Sequence, residues 1–558
     1  MKKLACKILA LLATGFISIA AAQAQTQTWN NASTDGLWNG SSLNWSDSTL
    51  TPDTWSSGGD AIFGTTGAGT VTIATGGVTA NSLTFNAPGY STTGGALTLT
   101  GLAEITANSD VTIGTEILGT AGLVKSGAGT MTWSTYYPSA GFSGPITVNA
   151  GQLSMTQALN NATMGSGNSA VTIASGATLL LDCYNWGATN SSIGALSGGG
   201  TLSLGGTPLS VGADNSSSTF AGAITNNWGG AAFIKVGSGT LTLSGNSYLY
   251  APMTVSGGVL NLTGYIFASG YGGVITVNNG GTLQLHDWEM SFASGFTSGG
   301  NWGTQASNMV IDGGTIDMAT SYTDSGRGFT IGAGGATLAV ESGVTWQLNN
   351  DRGWQYYHGA VTVDNNSSLT LDGAGTGQVN IVVNGTGTLT KNGGGTWSLG
   401  VANGYTGNTT VNAGTLILAA NGSISGSPLV DIKAGATFDT TSQTFTMLGT
   451  QTFRFTINGT TGQVGTLNAG WLDITNGVVD FSTIGVLTSS AYVIANYSYL
   501  TGAAFSSVLD LPTGYTLDYT YGTFANEIAL VQTVPEPSTW AMLLGGLGML
   551  TMFRRRRA

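Results

Sequence analysis

The densest cluster of groups able to move a proton or hold a ligand is His286-Asp287-Trp288-Glu289, and Asp312 and Asp317 flank a Gly-Gly turn just beyond it. Glycoside chemistry needs two carboxyl groups converging within about 5 to 10 Å. Asp287, Glu289, Asp312 and Asp317 are therefore the candidates for acid and base roles, set against the plainer reading of solvated loop carboxylates, so no catalytic residue is assigned. Arg352 and His358 bracket Trp354, Tyr356 and Tyr357, a spacing that suits saccharide contact through aromatic faces as well as a loop packed on its scaffold. Neither a metal-ligand spacing, nor a nucleophile elbow, nor a phosphate-cradling Gly-rich loop is present. Asp372-Gly373-Ala374-Gly375-Thr376-Gly377 lacks the regular aspartates of a calcium repeat. No cofactor and no metal are expected.

The elements that would position such residues follow from composition. Only 7% of the 558 residues are charged, against roughly 25% in an average soluble chain. Glycine takes 89 positions and hydrophobic residues 41%, which excludes collagen and simple disorder and leaves a large β protein with a neutral, Ser/Thr/Asn-rich surface.

Both ends read as addresses. Lys2, Lys3 and Lys7 precede an apolar run from Ile8 to Ala22, and Ala22-Gln23-Ala24 offers signal peptidase its small residues, so cleavage is expected after Ala24. At the other end Val534-Pro535-Glu536-Pro537 leads into a largely apolar stretch, Trp540 to Phe553, and then Arg554, Arg555, Arg556 and Arg557. Fourteen residues span about 21 Å as a helix against a hydrocarbon core of about 30 Å, so a transmembrane role requires local thinning and snorkelling arginines. The arginines belong in the cytoplasm. The body is then exported and held transiently at the inner membrane.

This three-part tail resembles the PEP-CTERM sorting signal of Gram-negative bacteria that secrete polysaccharide. The resemblance implies recognition by an exosortase-type enzyme, cleavage near Pro535 to Pro537, and delivery to the cell surface or extracellular matrix.

Between Gln25 and Thr533 seven cations (Lys125, Lys235, Arg327, Arg352, Lys391, Lys433 and Arg454) face 25 carboxylates, a net charge of about −18. Such a surface cannot gather phosphates, which excludes nucleic acid as a partner. Of the two cysteines only Cys183 survives processing, so no intramolecular disulfide forms, and Cys183 reads as a small buried hydrophobe.

The body repeats. Lys125-Ser-Gly-Ala-Gly-Thr130, Lys235-Val-Gly-Ser-Gly-Thr240 and Lys391-Asn-Gly-Gly-Gly-Thr396 are each followed by a second half: Ile146-Thr-Val-Asn-Ala-Gly-Gln-Leu153, Met253-Thr-Val-Ser-Gly-Gly-Val-Leu260 and Thr409-Thr-Val-Asn-Ala-Gly-Thr-Leu416. Looser copies of that half start at Val171, Ile275, Val361 and Val430. Alternation such as Thr240-Leu241-Thr242-Leu243 puts leucines on one face and hydroxyls on the other, and glycine or asparagine supplies tight corners. One coil cannot bury its own leucines, but stacked coils can.

The expected fold is all-β, a right-handed parallel β-helix of about 15 coils and roughly 70 Å. Outward Thr, Ser and Asn should align in ladders. The expected organisation is a signal peptide over 1–24, a Trp-rich cap over 25–70, the β-helix over 71–450, a C-terminal β cap over 451–533 and the sorting signal over 534–558. The units resemble the autotransporter-associated β-strand repeat, which implies a surface-protein stalk; Gly404-Tyr405-Thr406-Gly407 to Leu416 matches best.

The reading that follows is a non-enzymatic surface or matrix protein that builds or binds extracellular polysaccharide. A polysaccharide lyase or glycosidase on the same scaffold is the runner-up, and an adhesin for a host or particle surface is a further alternative. The expected partners are signal peptidase, an exosortase-like processing enzyme, extracellular polysaccharide, and transiently the inner membrane.

Overall fold

The computed structural model describes residues 25–134, 142–155, 169–182, 191–205, 208–226, 231–249, 251–267, 274–286, 309–324, 329–349, 361–363, 367–533 and 537–555. The architecture is the expected one, an all-β, right-handed-type parallel solenoid of about 15 turns. One helix, Pro537–Arg555, closes the described chain. Two compact units, Met1–Gln157 and Ala158–Ala558, divide it.

The first unit opens on a tryptophan cluster. The strand Thr26–Trp29 lies parallel to Gly59–Phe63 and antiparallel to Trp45–Ser46, which puts Trp29 beside both Phe63 and Trp45. Trp38 sits 5.1 Å from both Trp45 and Trp55, and Phe63 stacks on Phe85 at 4.4 Å. All four indoles are buried, so this segment fills the unit's interior with rings and presents none of the four to solvent. Beyond it the pairing is parallel, and one column carries a hydroxyl at five successive turns, Thr70, Ser91, Thr112, Thr132 and Ser154, the last of them buried.

In the second unit each turn contributes up to three short strands. Phe233–Lys235, Thr240–Leu243 and Ser247–Tyr248 complete one turn, and Met253–Val255 then lies in register on Phe233–Lys235. Burial alternates in most strands, as in Thr240–Leu243, where the two leucines are buried and the two threonines half-buried. The inward column Leu241, Leu260, Leu283, Ile316 and Leu338 is an apolar stack with one side chain per turn. Each turn therefore buries its leucine against the leucines above and below, which one turn alone could not do.

The ladder crosses the boundary expected at 450. Thr452–Asn458 pairs in parallel with Leu429–Ile432 before it and Val478–Ile484 after it. Among the described strands, antiparallel strand pairing returns where Glu527–Gln532 inserts between Ala491–Thr501 and Tyr515–Tyr521. At that point the parallel ladder ends on this side of the coil, and a hairpin covers part of its last strand.

Candidate binding surface

Three arrangements give the solenoid its chemical character. The first lies inside. Leu123, Phe233 and Leu389 point inward, and strand alternation then turns the residue two positions on, Lys125, Lys235 or Lys391, inward as well. Lys235 occupies a core column between Val211 and Val255, and the lysine is 1% exposed. Its aliphatic stem substitutes for a leucine, and its ammonium reaches the corner beyond.

There Lys125 donates to the carbonyl oxygens of Ser126, Gly127 and Ala150, all at 2.9 Å. Lys235 donates to Val236, Gly237 and Gly257, and Lys391 to Asn392, Gly393 and Ala413. All three ammonium protons are thus used, and the last acceptor in each set belongs to the following turn. Burial pulls the Lys125 and Lys391 ammonium groups down to about 8, opposed by the charges of Asp110 and Asp372. Lys235 is shifted the same way by burial, with Asp214 opposing.

The glycines of the motif follow from this hook. Gly127, Gly237 and Gly393 have φ of 78°, 69° and 63°, a left-handed backbone that aims each carbonyl at the ammonium without cost. Two residues later a Cβ on Gly395 would lie 2.2 Å from the Gly375 carbonyl oxygen of the preceding turn, so only glycine allows the turns to approach. Lysine, turn glycine and contact glycine together make one contiguous module that fastens a turn to the next by hydrogen bonds.

The second arrangement is outside. Thr282, Thr315, Thr337, Thr370, Thr390 and Thr410 occupy one outward column across six consecutive turns. A second column on the adjacent side holds Thr345, Thr376, Thr396, Thr415, Thr437 and Thr466. Spaced at about 4.8 Å by the ladder, these present a flat array of hydroxyl and methyl groups. Amide pairs such as Asn86 with Asn108 and Asn392 with Asn412, both at 2.8 Å, add hydrogen bonds from turn to turn. Because Lys125, Lys235 and Lys391 are internal, the outer surface is poorer in cations than the sequence count suggested. Among the described residues the ion pairs gather in one cluster, where Arg454 lies between Asp431 and Asp480 and Lys433 meets Asp431.

The third arrangement is an exposed aromatic pair, Trp471 and Tyr499, on adjacent strands of the sheet that carries the second threonine column. Nothing in the local sequence singled it out, since a tryptophan in an alternating strand usually belongs to the core.

Of the residues proposed for chemistry, the described ones are spread over two sheets. His286 follows the strand Gly281–Leu285, its Nε2 3.1 Å from Asn261 Oδ1. Asp317 lies on the same sheet and accepts from Gln284, whereas Asp312 ends a strand of a different sheet and accepts from the Gly334 N–H at 2.6 Å. Asp372 accepts from its neighbour Gly373 N–H. No group of three His, Cys, Asp or Glu side chains suited to a metal ion occurs among the described residues. Asp287 and Glu289 lie outside the described residues, as do Arg352, Trp354, Tyr356, Tyr357 and His358, Cys183, Ala22 and Ala24, and Pro535, Glu536, Arg556 and Arg557. Pro537 opens the C-terminal helix, and Arg554 and Arg555 close it. The helix exposes its apolar residues from Ala541 to Phe553, yet no helix among the described residues is long and apolar enough to cross a membrane.

The fold and its modules define a parallel β-solenoid with three lysine-hooked repeats and a C-terminal helix. The chain matches the Passenger-associated-transport-repeat over residues 123–155, 233–262 and 389–418, and each matched segment contains one hook lysine. It matches the PEP-CTERM protein-sorting motif over 533–557. Over 285 residues it is 30% identical to the adhesin BmaC autotransporter of Brucella suis biovar 1 (strain 1330); the match covers 50% of this chain and 7% of that protein. No solved structure matches. The chain therefore carries passenger repeats and a sorting motif of exported proteins, and neither matched family is enzymatic.

Proposed function

We propose that this protein is an exported cell-surface or matrix protein of a Gram-negative bacterium that adheres to extracellular polysaccharide, and that an exosortase-type system delivers it. The observation that carries this reading is the sorting motif at 533–557 standing directly behind a solenoid of passenger repeats. Signal peptidase removes residues 1–24, and the C-terminal helix holds the exported body at the inner membrane, its arginines on the cytoplasmic side, until the tail is cut near Pro535 to Pro537. A parallel solenoid suits this task, since it folds turn by turn and projects long rows of identical outward groups. Hydroxyl and amide columns on a surface nearly without cations favour uncharged, hydroxyl-rich partners over phosphates.

Deleting residues 535–558 and fractionating the cells tests the sorting step. The truncated protein is expected to leave the membrane fraction for the periplasm or the medium, and an unchanged distribution overturns it. Adhesion to a host or particle surface is the second reading, favoured by the similarity to an adhesin autotransporter. Binding to polysaccharide purified from the producing cells separates the two.

A further inference from the structure

Seven tryptophans of the described body are buried, whereas Trp471 is 47% exposed and its neighbour Tyr499 is 65% exposed. They are cross-strand partners on Thr466–Asp473 and Ala491–Thr501, with ring centroids 5.4 Å apart and planes 30° from parallel. The Trp471 indole N–H donates to Thr501 Oγ1 at 3.0 Å, which fixes the ring in place. Glu527–Gln532 covers the last parallel strand from Ala491 to Asn496 and does not reach Tyr499. Two rigid rings therefore stand on the outer surface where the covering hairpin stops.

We propose that Trp471 and Tyr499 form a docking subsite for a neutral polysaccharide chain; this rests on the polysaccharide reading above and names its site and ligand class. Aromatic faces take the C–H faces of sugar rings, while the sugar hydroxyls need nearby donors and acceptors. Both are present: Thr444 and Thr501 flank the rings, and the hydrogen-bonded amides of Asn468 and Asn496 lie further back on the same two strands. Charge selects the ligand. The strands Thr437–Thr446, Thr466–Asp473 and Ala491–Thr501 contain Asp439 and Asp473 and no lysine or arginine, so on these strands an anionic polymer meets like charge.

The test is affinity electrophoresis of the full chain through gels containing hydroxyethyl cellulose, a neutral polymer, or alginate, an anionic one. Retardation is expected in hydroxyethyl cellulose and not in alginate. Trp471→Ala and Tyr499→Ala should each weaken it by about tenfold, the size of one lost ring contact, with Trp471→Phe retaining part of it. If an alanine variant does not fold, Thr501→Val keeps both rings, frees the indole and should still reduce retardation. Retardation unchanged in the folded variants overturns the subsite, as does retardation by alginate alone. A dimer in sedimentation that dissociates on Trp471→Ala also overturns it, by making the pair a contact between two copies. If the native matrix polysaccharide retains wild type and the Trp471→Ala/Tyr499→Ala variant equally, the subsite fails while the polysaccharide reading stands. If that polysaccharide does not retain wild type, the reading fails too.

Discussion

The Lys391 ammonium nitrogen lies 3.1 Å from the carbonyl oxygen of Ala413, on the following turn of the solenoid. Lys125 reaches Ala150 and Lys235 reaches Gly257 in the same way. A cation inside a β-helix is expensive to desolvate, and here main-chain oxygens rather than a carboxylate compensate it. The repeat motif is thus a device that ties consecutive turns through side chain to backbone.

Removing the hook should be costly. Lys391→Met keeps the stem but leaves three inward carbonyls without their donor, at about 1 to 3 kcal/mol for a buried unsatisfied group. We expect the variant's denaturation midpoint to drop clearly, while Thr410→Ser, in the outward threonine column, changes it little. Equal midpoints for the two variants would show that the hooks do not bind the turns together.

Stability should also depend on pH through these lysines. Their folded values, about 8 for Lys125 and Lys391, lie below the unfolded value near 10.4, so between those limits the unfolded chain holds the proton that the folded chain has lost. Each lysine then adds stability as pH rises from about 8, at most about 1.4 kcal/mol per pH unit, complete above about 10.4 and absent below about 8. Subtracting the Lys391→Met profile from wild type in denaturant titrations isolates the effect. A flat difference between pH 7 and 10 would contradict it.

Two neighbouring glycines should behave differently. A Cβ on Gly395 would stand 2.2 Å from the Gly375 carbonyl oxygen, while one on Gly394 meets nothing within 4 Å. Gly395→Ala is expected to lower the melting temperature, since backbone must move to admit it, and Gly394→Ala to stay within about 0.5 kcal/mol of wild type. Thermal melting of both variants checks the pair.

The charged cluster near the end of the ladder offers another comparison. Arg454 Nε donates to Asp480 Oδ2 at 2.6 Å, and both Asp431 and Asp480 are buried, each with one carboxylate oxygen lacking a partner. Arg454→Met should destabilise by about 1 to 2 kcal/mol, since it leaves the buried Asp480 carboxylate without its cation while Asp431 keeps Lys433, and the half-exposed arginine is partly screened by water. Combining it with Asp480→Asn should recover part of the loss in chemical denaturation. A double variant worse than the single one would contradict this account.

The alternation of leucine with threonine, the glycine corners and the five-residue step from valine to leucine in the repeats determined a stacked parallel solenoid, because a half-buried strand of period two has only one way to hide its leucines when each turn is so short. The tail was legible for the same reason, being a local pattern of residue types. What only the tertiary structure decided is which residues meet across turns. The hook lysines were visible as repeat landmarks and counted as surface charge, although Leu123 and Lys125 share a strand face and the alternation already pointed both inward. Their carbonyl partner on the following turn lies 22 to 25 residues away, at a register that corner lengths alone set. The Trp471 and Tyr499 pair depends likewise on register, and on where the final hairpin stops. Such meetings are set by stacking and not by neighbouring sequence, so the chain's local pattern specified its coil while the coil specified its surface.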